Sequence, residues 1–484
     1  MKAIKYLLAG AFLIGMSAQA IAQDIKAQIE SISKVVIANK ANPEAAEDQV
    51  KDFYKEYKKN AEAMAGLGRA FLDIKDTANA KKYAEQAIKV GKNNAAGYIL
   101  LGDIEVFKND GGAAASWYKQ ATILDPQNPQ GYIKYANIYR VSSPSTAAEM
   151  LEKLRAVKPD YPVDAEAAHF FYSARKYEEA VAYYDKVTDR SKLDCAQLRE
   201  YALAGYFAGN NDKSMEVSSY GNSVYPRDAV LNRLTFYNSL AKKDYETAVK
   251  FADALFNASD SAKIISRDYT MCGHAYMGMK DYTKAVDMFK KSLSVEESSE
   301  VHKLLSDAYS EAGDINNAIA EYNACISTKS DVTATDYMAL ATIYTNEASK
   351  ATDPAVKEAA FKKADSIYVD VIAKFPDYKT YGVYMRATIN GNLDPDFTKG
   401  LSEPFYKELI ELVNAKEQKG NNDNGYLKAA YYNLGAITYT RGEKEAGDEY
   451  MRKLLEVDPD NATAKQMLGI TDAQPAETPA QPAK

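Results

Sequence analysis

The sequence contains few cysteines and histidines for its length. Its 484 residues include 3 Cys and 3 His. An odd, widely spaced set of cysteines is not a disulfide framework, so packing has to stabilise the fold. The chain also lacks His-Glu-x-x-His, Cys-x-x-Cys and Gly-x-Ser-x-Gly, the signatures of zinc peptidases, redox proteins and serine hydrolases. We therefore expect no metal site, no cofactor and no catalytic residues.

Basic runs, glycine-rich phosphate loops and long apolar runs are missing as well. The formal net charge is -7 at pH 7, which disfavours a polyanionic partner bound by charge. We therefore expect no nucleic-acid binding. A membrane-spanning helix needs about 20 mostly apolar residues, and no stretch of this sequence provides them. The sequence thus predicts no transmembrane segment.

The first 22 residues have the organisation of a secretory signal peptide. Lys2 and Lys5 precede the apolar run LLAGAFLIG, and small residues follow at cleavage spacing. We predict cleavage after Ala22, with cleavage after Ala20 as the alternative. No cysteine lies at the junction, so the sequence predicts no lipoprotein anchor. The mature chain is therefore expected in the periplasm or otherwise exported.

The sequence does contain an internal repeat. Small residues recur at intervals of 34, as at Gly68, Gly102 and Ala136. The clearest repeats carry further small or aromatic residues at +12, +16 and +19 from the small residue, which after Gly102 are Ala114, Tyr118 and Ala121, and after Gly273 are Ala285, Phe289 and Ser292. Those three offsets lie on one face of a second helix. Each repeat is therefore predicted to be a pair of antiparallel helices, which needs stacked neighbours to bury its apolar face.

This spacing resembles the tetratricopeptide repeat (TPR) family as it occurs in exported bacterial, Bacteroidota-like proteins. The best matches are GYILLGDIEVFKNDGGAAASWYKQATILDPQNP and YTMCGHAYMGMKDYTKAVDMFKKSL. The resemblance implies an all-α fold, a right-handed α-solenoid of antiparallel helix pairs that forms a TPR superhelix. It also implies a protein-binding scaffold rather than an enzyme.

The resemblance sets the expected domain organisation. Residues 1–22 are the signal peptide, and 23–58 form an N-terminal helical cap. Residues 59–470 form a TPR array of about ten or eleven units, irregular around 347–363 and 390–425. The Pro/Ala/Gln-rich residues 471–484 are expected to be disordered.

The cysteines and most tyrosines are explained by packing. Cys272 precedes the small Gly273, and Cys325 occupies a small-residue position on a second helix, so both are predicted to be buried. The same interpretation is favoured for Cys195. The tyrosines that fall in the apolar register of the repeats are Tyr118, Tyr139, Tyr276, Tyr309, Tyr322 and Tyr344.

The family's concave groove provides candidate binding residues. In TPR proteins the groove is lined by residues directly after the first-helix small residue, four after it and three before it. In this sequence these are Arg69, Asp103, Asn137, His169, His274 and Asp307, then Arg140 and Tyr172, and then Lys303. The alternative is that they are solvated residues on an exposed helix face. The Lys and Asn of a carboxylate clamp are not reproduced, because Ile133 and Thr270 stand where lysines would be and Asp307 where Asn would be.

The sequence therefore favours a non-catalytic scaffold or adaptor of the bacterial cell envelope. Its expected partner is a protein, an envelope or outer-membrane/secretion component, bound in the groove. The alternative is a carbohydrate or peptidoglycan binder that uses exposed tyrosines such as Tyr172 and Tyr439. An enzyme would need a converging polar pocket, for which 390–425 is the only unexplained stretch.

Overall fold

A computed structural model gives the fold of residues 18–470, with side chains described from residue 23 onward. The predicted signal peptide up to residue 17 and the tail 471–484 lie outside the described residues. Between 18 and 470 the chain forms 25 α-helices and no strand, which confirms the all-α prediction. The contacts divide it into two units. Unit 1 comprises the residues up to Asn238 together with Ala254–Ser261, and unit 2 comprises Ser239–Asp253 together with the residues from Ala262 onward.

Unit 1 begins with two helices that precede the repeats. Helix α1 (Ala18–Ala38) starts before the predicted first mature residue and packs on α3, while a 3-10 turn (Pro43–Ala46) leads into α2 (Glu47–Tyr57). Five pairs follow: α3–α4 (Ala61–Asp73, Thr77–Val90), α5–α6 (Ala96–Phe107, Gly111–Leu124), α7–α8 (Pro129–Tyr139, Pro144–Val157), α9–α10 (Val163–Ser173, Tyr177–Tyr184) and α11–α12 (Cys195–Phe207, Asn211–Val224).

Unit 2 also contains five helix pairs. They are α15–α16 (Ser266–Gly278, Tyr282–Val295), α17–α18 (Ser299–Ala312, Ile315–Thr328), α19–α20 (Ala334–Lys350, Pro354–Lys374), α21–α22 (Lys379–Leu393, Glu403–Asn414) and α23–α24 (Asp423–Thr440, Lys444–Val457). A short α25 (Ala462–Leu468) packs on α24. The boundary between the units falls inside α13 (Ala229–Ala241), after Asn238. Helix α14 (Tyr245–Asp253) belongs to unit 2. Each unit is thus a stack of helix pairs, an α-solenoid arrangement.

The small residues on the first helices let an aromatic ring of the second helix lie against the backbone. A Cβ added at Gly102 would meet Tyr118 Cε1 at 2.3 Å, and one added at Gly273 would meet Phe289 Cε1 at 2.4 Å. Both rings are buried. No side chain fits there without displacing the ring, so the predicted small–aromatic pairing holds the two helices of a pair together.

The turn inside several pairs uses one recurring geometry. Before the second helix a residue adopts a left-handed conformation, as Asn109 (φ 63°) and Lys280 (φ 60°) do. The next residue donates its N–H to a carbonyl five residues back, as Asp110 does to Glu105 at 2.9 Å. Its side chain then accepts from the backbone N–H three residues on, at 2.9 Å between Asp110 and Ala113. One helix is thereby closed and the next capped within a single turn.

Both segments predicted to be irregular have a structural explanation. The inserted residues around 347–363 lengthen two helices, because α19 has 17 residues and α20 has 21. In the 390–425 segment the buried Asp394 carboxylate accepts backbone N–H groups of Lys399 at 3.0 Å and Gly400 at 2.7 Å. Burial alone raises the pKa of Asp394, but these hydrogen bonds outweigh it and lower the pKa. This carboxylate shapes a loop, and the segment includes the regular helix α22.

Buried polar side chains line the contact between α12 and α13, whereas most helix contacts in the array are apolar. We call this contact the polar seam. Ser214, Ser218, Thr235 and Asn238 are almost completely buried, and Asn222 is 8% exposed. Thr235 Oγ1 donates to Ser218 Oγ and accepts from Asn222 Nδ2, both at 2.8 Å. Asn238 Nδ2 donates to Ser214 Oγ at 2.8 Å. The side-chain carbonyl oxygens of Asn222 and Asn238 are buried without a hydrogen-bond partner.

Candidate functional site

Asp103 on α5 is the centre of a buried ion cluster that joins three helix pairs. It forms an ion pair with Arg69 on α3, and its Oδ1 lies 2.8 Å from Lys134 Nζ on α7. Tyr118 on α6 donates its hydroxyl to the same Oδ1 at 2.6 Å. Burial lowers the pKa of Arg69 and Lys134 and raises that of Tyr118 to about 12. Asp103 is only 8% exposed, so it positions the two cations, whose side chains remain partly exposed.

A second cluster of similar chemistry connects α9 and α11. His169 Nδ1 lies 2.9 Å from Glu200 Oε2, and Tyr184 on α10 donates its hydroxyl to that oxygen at 2.9 Å. The hydrogen bond to Glu200 raises the pKa of His169, while the charge of Arg140 on the preceding pair opposes this shift. Burial raises the pKa of the neighbouring Glu166 carboxyl. As in the Asp103 cluster, one carboxylate contacts a basic side chain of a first helix and the hydroxyl of a second-helix tyrosine.

The other predicted groove residues do not join these clusters. Asn137 and Arg140, at the end of α7, are exposed. In unit 2, His274 is half-buried with its ring edge-on to Phe289, and burial lowers its pKa. Lys303 and Asp307 are both exposed on α17. Desolvation raises the pKa of the Asp307 carboxyl, and attraction to Lys303 opposes that shift.

Sequence reasoning missed Lys134 and Glu200. Each lies two residues before the small residue of its first helix, Ala136 or Ala202, and not at a position taken from the family's groove. Each is also 31 residues after the group it binds, Asp103 or His169. The sequence signal that could have identified these two pairs is a residue of opposite charge 31 residues away, which is nearly one repeat.

Exposed apolar side chains occupy the ends of several first helices in unit 1. Phe107, Val141 and Phe207 each lie five residues after the small residue, and they are 45%, 56% and 53% exposed. The corresponding residues in the unit 2 pairs are Gly278, Glu311, Asn346, Asn392 and Thr440. None of these is apolar. In unit 1 three of the five pairs therefore have an apolar residue at this position, and the other two have Asp73 and Ser173. We call the surface formed by α3, α5, α7, α9 and α11 the first-helix face.

Four aromatic rings form a connected patch at one end of this face. Tyr172 contacts Tyr177, Tyr177 contacts Phe207, and Phe207 contacts Tyr206, with ring centroids 5.9, 5.0 and 5.7 Å apart. Tyr172, Tyr177 and Tyr206 are half-buried, so each keeps part of its ring accessible. We call these four residues the aromatic patch. Tyr172 was predicted as a contact residue, whereas the other three were not.

Other features of the described residues are structural. Within 18–470 no group of three or more His, Cys, Asp or Glu residues is arranged to hold a metal ion. Among the described helices none combines the length and the apolar character that a membrane span requires.

Cys272 and Cys325 are buried as predicted, and burial raises the pKa of Cys272 to about 12. Cys195 is half-buried, with its sulfur 3.4 Å from Asp228 Oδ2. A cavity of about 320 Å³ near α1 is lined mainly by apolar residues such as Val36 and Phe71.

Comparisons with known proteins find the same repeat in four segments of this chain. Family models described as tetratricopeptide repeat match residues 66–129, 269–299, 300–331 and 429–461. The structure of the C-terminal part of a TPR repeat-containing protein from Cytophaga hutchinsonii is similar at 19% identity and a TM-score of 0.38, over 63% of this chain and 99% of that chain. A tetratricopeptide repeat protein from Parabacteroides merdae is similar at 19% identity and a TM-score of 0.31, over 51% and 98%. MamA from Desulfovibrio magneticus is similar at 20% identity and a TM-score of 0.31, over 34% and 94%. The repeat matches lie on helix pairs with the expected small-residue contacts, and these four segments of the chain are therefore tetratricopeptide repeats.

Proposed function

We propose that this protein is a non-catalytic scaffold of the bacterial cell envelope that binds an extended segment of a partner protein on the first-helix face of unit 1. The observation that carries the proposal is the set of exposed apolar residues at one repeat position, Phe107, Val141 and Phe207. Single exposed apolar side chains are ordinary on protein surfaces, but three at the same repeat position offer repeated anchor points for one extended segment.

The ion clusters support binding without rearrangement. Arg69, Asp103 and Lys134 join successive helix pairs, and His169 and Glu200 join the next ones. These contacts hold the first helices in place before a partner arrives. A preformed surface loses little conformational entropy on binding, which raises the affinity for a flexible segment.

The proposed location in the cell envelope is inferred from the N-terminal sequence. The charged start, short apolar run and small residues of 1–22 are those of an exported chain. The partner is accordingly an envelope, outer-membrane or secretion component. TPR repeats serve in general as protein-interaction scaffolds, which favours this reading over carbohydrate binding. Three of the tyrosines in the repeat register, Tyr118, Tyr309 and Tyr322, are buried, which leaves fewer rings for sugar stacking.

Site-specific photocrosslinking in cells tests the proposal. A photoreactive amino acid replaces Phe107 in unit 1, and in a matched control it replaces Glu311, which holds the same repeat position in unit 2 and is also exposed. We expect a discrete envelope protein to be captured from position 107 and not from position 311. Capture should fall about tenfold when Val141→Ser is added, since one apolar anchor contributes about 1–2 kcal/mol. Equal capture from both positions, or none from 107, would overturn the proposal.

A further inference from the structure

A cavity in unit 1 lies between the two N-terminal helices and the first repeat pair. Its lining comes from α1, the 3-10 turn, α2, α3 and α4, and its volume is about 320 Å³. Protein cores leave few voids larger than a water molecule, whereas pockets that hold small molecules begin at about 300 Å³. The cavity therefore has the size of a small-molecule site and not that of a packing defect.

Much of the cavity lining is apolar. Phe71 on α3 and Tyr83 on α4 stack with ring centroids 5.5 Å apart and ring planes inclined by 20°. Both rings are buried, and so are Val36, Ala46 and Val50, which also line the cavity. Water finds few hydrogen-bond partners against such side chains, so an apolar group that displaces it gains free energy.

Four charged side chains line the same cavity, two of each sign. Glu47 and Lys51 pair with each other, since their Oε1 and Nζ atoms lie 2.7 Å apart. Glu44 and Lys82 are exposed, and neither forms an ion pair within residues 23–470. Lys82 Nζ lies 5.4 Å from the centre of the Tyr83 ring. The lining thus offers one unpaired carboxylate and one unpaired ammonium group.

Asn79 adds a hydrogen-bond acceptor to the lining. Its Nδ2 donates to Asp76 Oδ2 at 2.7 Å, and its backbone N–H donates to Asp76 Oδ1 at 3.0 Å. Asp76 is thereby occupied as the cap of α4. The side-chain carbonyl of Asn79 stays available for an N–H group of a ligand.

We propose that this cavity binds a free apolar α-amino acid of the size of leucine or phenylalanine. Its side chain packs on Phe71 and Tyr83. Its ammonium group pairs with Glu44 and donates to Asn79, and its carboxylate pairs with Lys82. A fatty acid would bring a second carboxylate beside Glu44, and a hydrocarbon would gain nothing from either charge. The site goes beyond the proposed function, because none of these residues belongs to the set on which that function rests.

Isothermal titration calorimetry on the purified full chain tests this site. We expect L-phenylalanine and L-leucine to bind saturably. The analogue 3-phenylpropionate lacks the ammonium group and 2-phenylethylamine lacks the carboxylate. Each should bind at least about tenfold more weakly than phenylalanine, a loss of about 1.4 kcal/mol. L-serine, which lacks the apolar side chain, should give no detectable binding.

Two variants assign each charge of the ligand to a residue. Glu44→Gln should weaken phenylalanine binding about tenfold without weakening that of 3-phenylpropionate, which has no ammonium group to lose. Lys82→Gln should weaken phenylalanine binding without weakening that of 2-phenylethylamine. The matched control is Lys81→Gln, which changes an exposed lysine next in the chain but outside the lining and should alter none of the three.

Three results would overturn the inference. The first is the absence of saturable binding of either amino acid at millimolar concentration. The second is equal affinity for phenylalanine and for the analogue that lacks one of its charges, because the occupant would then be recognised by its apolar part alone. The third is equally tight binding of the dipeptide phenylalanyl-glycine, which would make a peptide N-terminus the occupant. Photocapture from position 107 tests the proposed function independently of all three.

Discussion

His169 Nδ1 lies 2.9 Å from Glu200 Oε2, and this contact connects the first helices of two successive repeats. Tyr184 donates to the same carboxylate, and Arg140 and Glu166 also act on the charge of His169. The imidazolium form is therefore the one that this environment favours. The contact makes one inter-repeat junction of unit 1 dependent on pH.

The sign of that dependence follows from the pKa shift. Because the folded state raises the pKa of His169, the contact stabilises the protein fully below the unfolded value of about 6.5 and loses its effect as pH rises through the folded value. We expect Glu200→Gln to lower the melting temperature more at about pH 5.5 than at about pH 8.5. Thermal unfolding of wild type and variant at both pH values measures this. A decrease of equal size at both would show that the charge of His169 is not involved.

His302 in unit 2 provides a second test of the same principle. Its Nδ1 lies 2.6 Å from Glu321 Oε2 and its Nε2 lies 2.6 Å from Glu297 Oε1. Burial alone lowers the pKa of His302, but these two hydrogen bonds outweigh it and raise the pKa. We expect an NMR titration of the His302 ring to give a pKa above about 6.5 in the wild type and a lower one in Glu321→Gln. A pKa that does not move would mean that Glu321 is not its partner in solution.

The left-handed residue before the second helix predicts a stabilising substitution. Lys280 has φ 60°, a conformation that costs an L-residue roughly 1–2 kcal/mol relative to glycine. Glycine also gains entropy in the unfolded chain, so Lys280→Gly should raise the free energy of unfolding by only about 0.5 kcal/mol. The neighbouring Asp281→Ala removes the cap on Lys284 N–H and should lower it by about 1 kcal/mol. Denaturant unfolding should place the two variants on opposite sides of the wild type.

We expect substitutions in the polar seam between α12 and α13 to have strongly non-additive effects on the free energy of unfolding. Thr235→Val removes the hydroxyl that Ser218 and Asn222 both use, and should cost about 1–3 kcal/mol because buried groups lose their partners. Replacing all three together, by Ser218→Ala, Asn222→Leu and Thr235→Val, removes the unpaired side-chain oxygen of Asn222 as well. We expect the triple variant to be at least as stable as Thr235→Val alone. Additive losses in thermal unfolding would contradict this account of the seam.

Much of the local fold could be predicted because it depends on short-range spacing. The contact of Gly102 with Tyr118 follows from an offset of 16 residues, which places the two on facing sides of one helix pair. The burial of Cys272 and Cys325 follows from the same register. Such positions are repeated many times in the chain, so a single irregular unit does not obscure the pattern. The inserted residues near 350 were harder, since apolar spacing does not say whether an insertion lengthens helices or forms a loop.

The sequence by itself determined the helix pairs, their small–aromatic contacts and the absence of a disulfide framework, because each depends on residue type and on spacing within one repeat. The tertiary structure alone decided which charges meet across repeats. Asp103 meets Lys134, and His169 meets Glu200, because the packed side chains come from positions about one helical turn apart in successive repeats, so that a partner lies 31 residues away and not 34. It also decided that Tyr172, Tyr177 and Phe207 share one patch, since side-chain directions at helix ends depend on how neighbouring pairs pack.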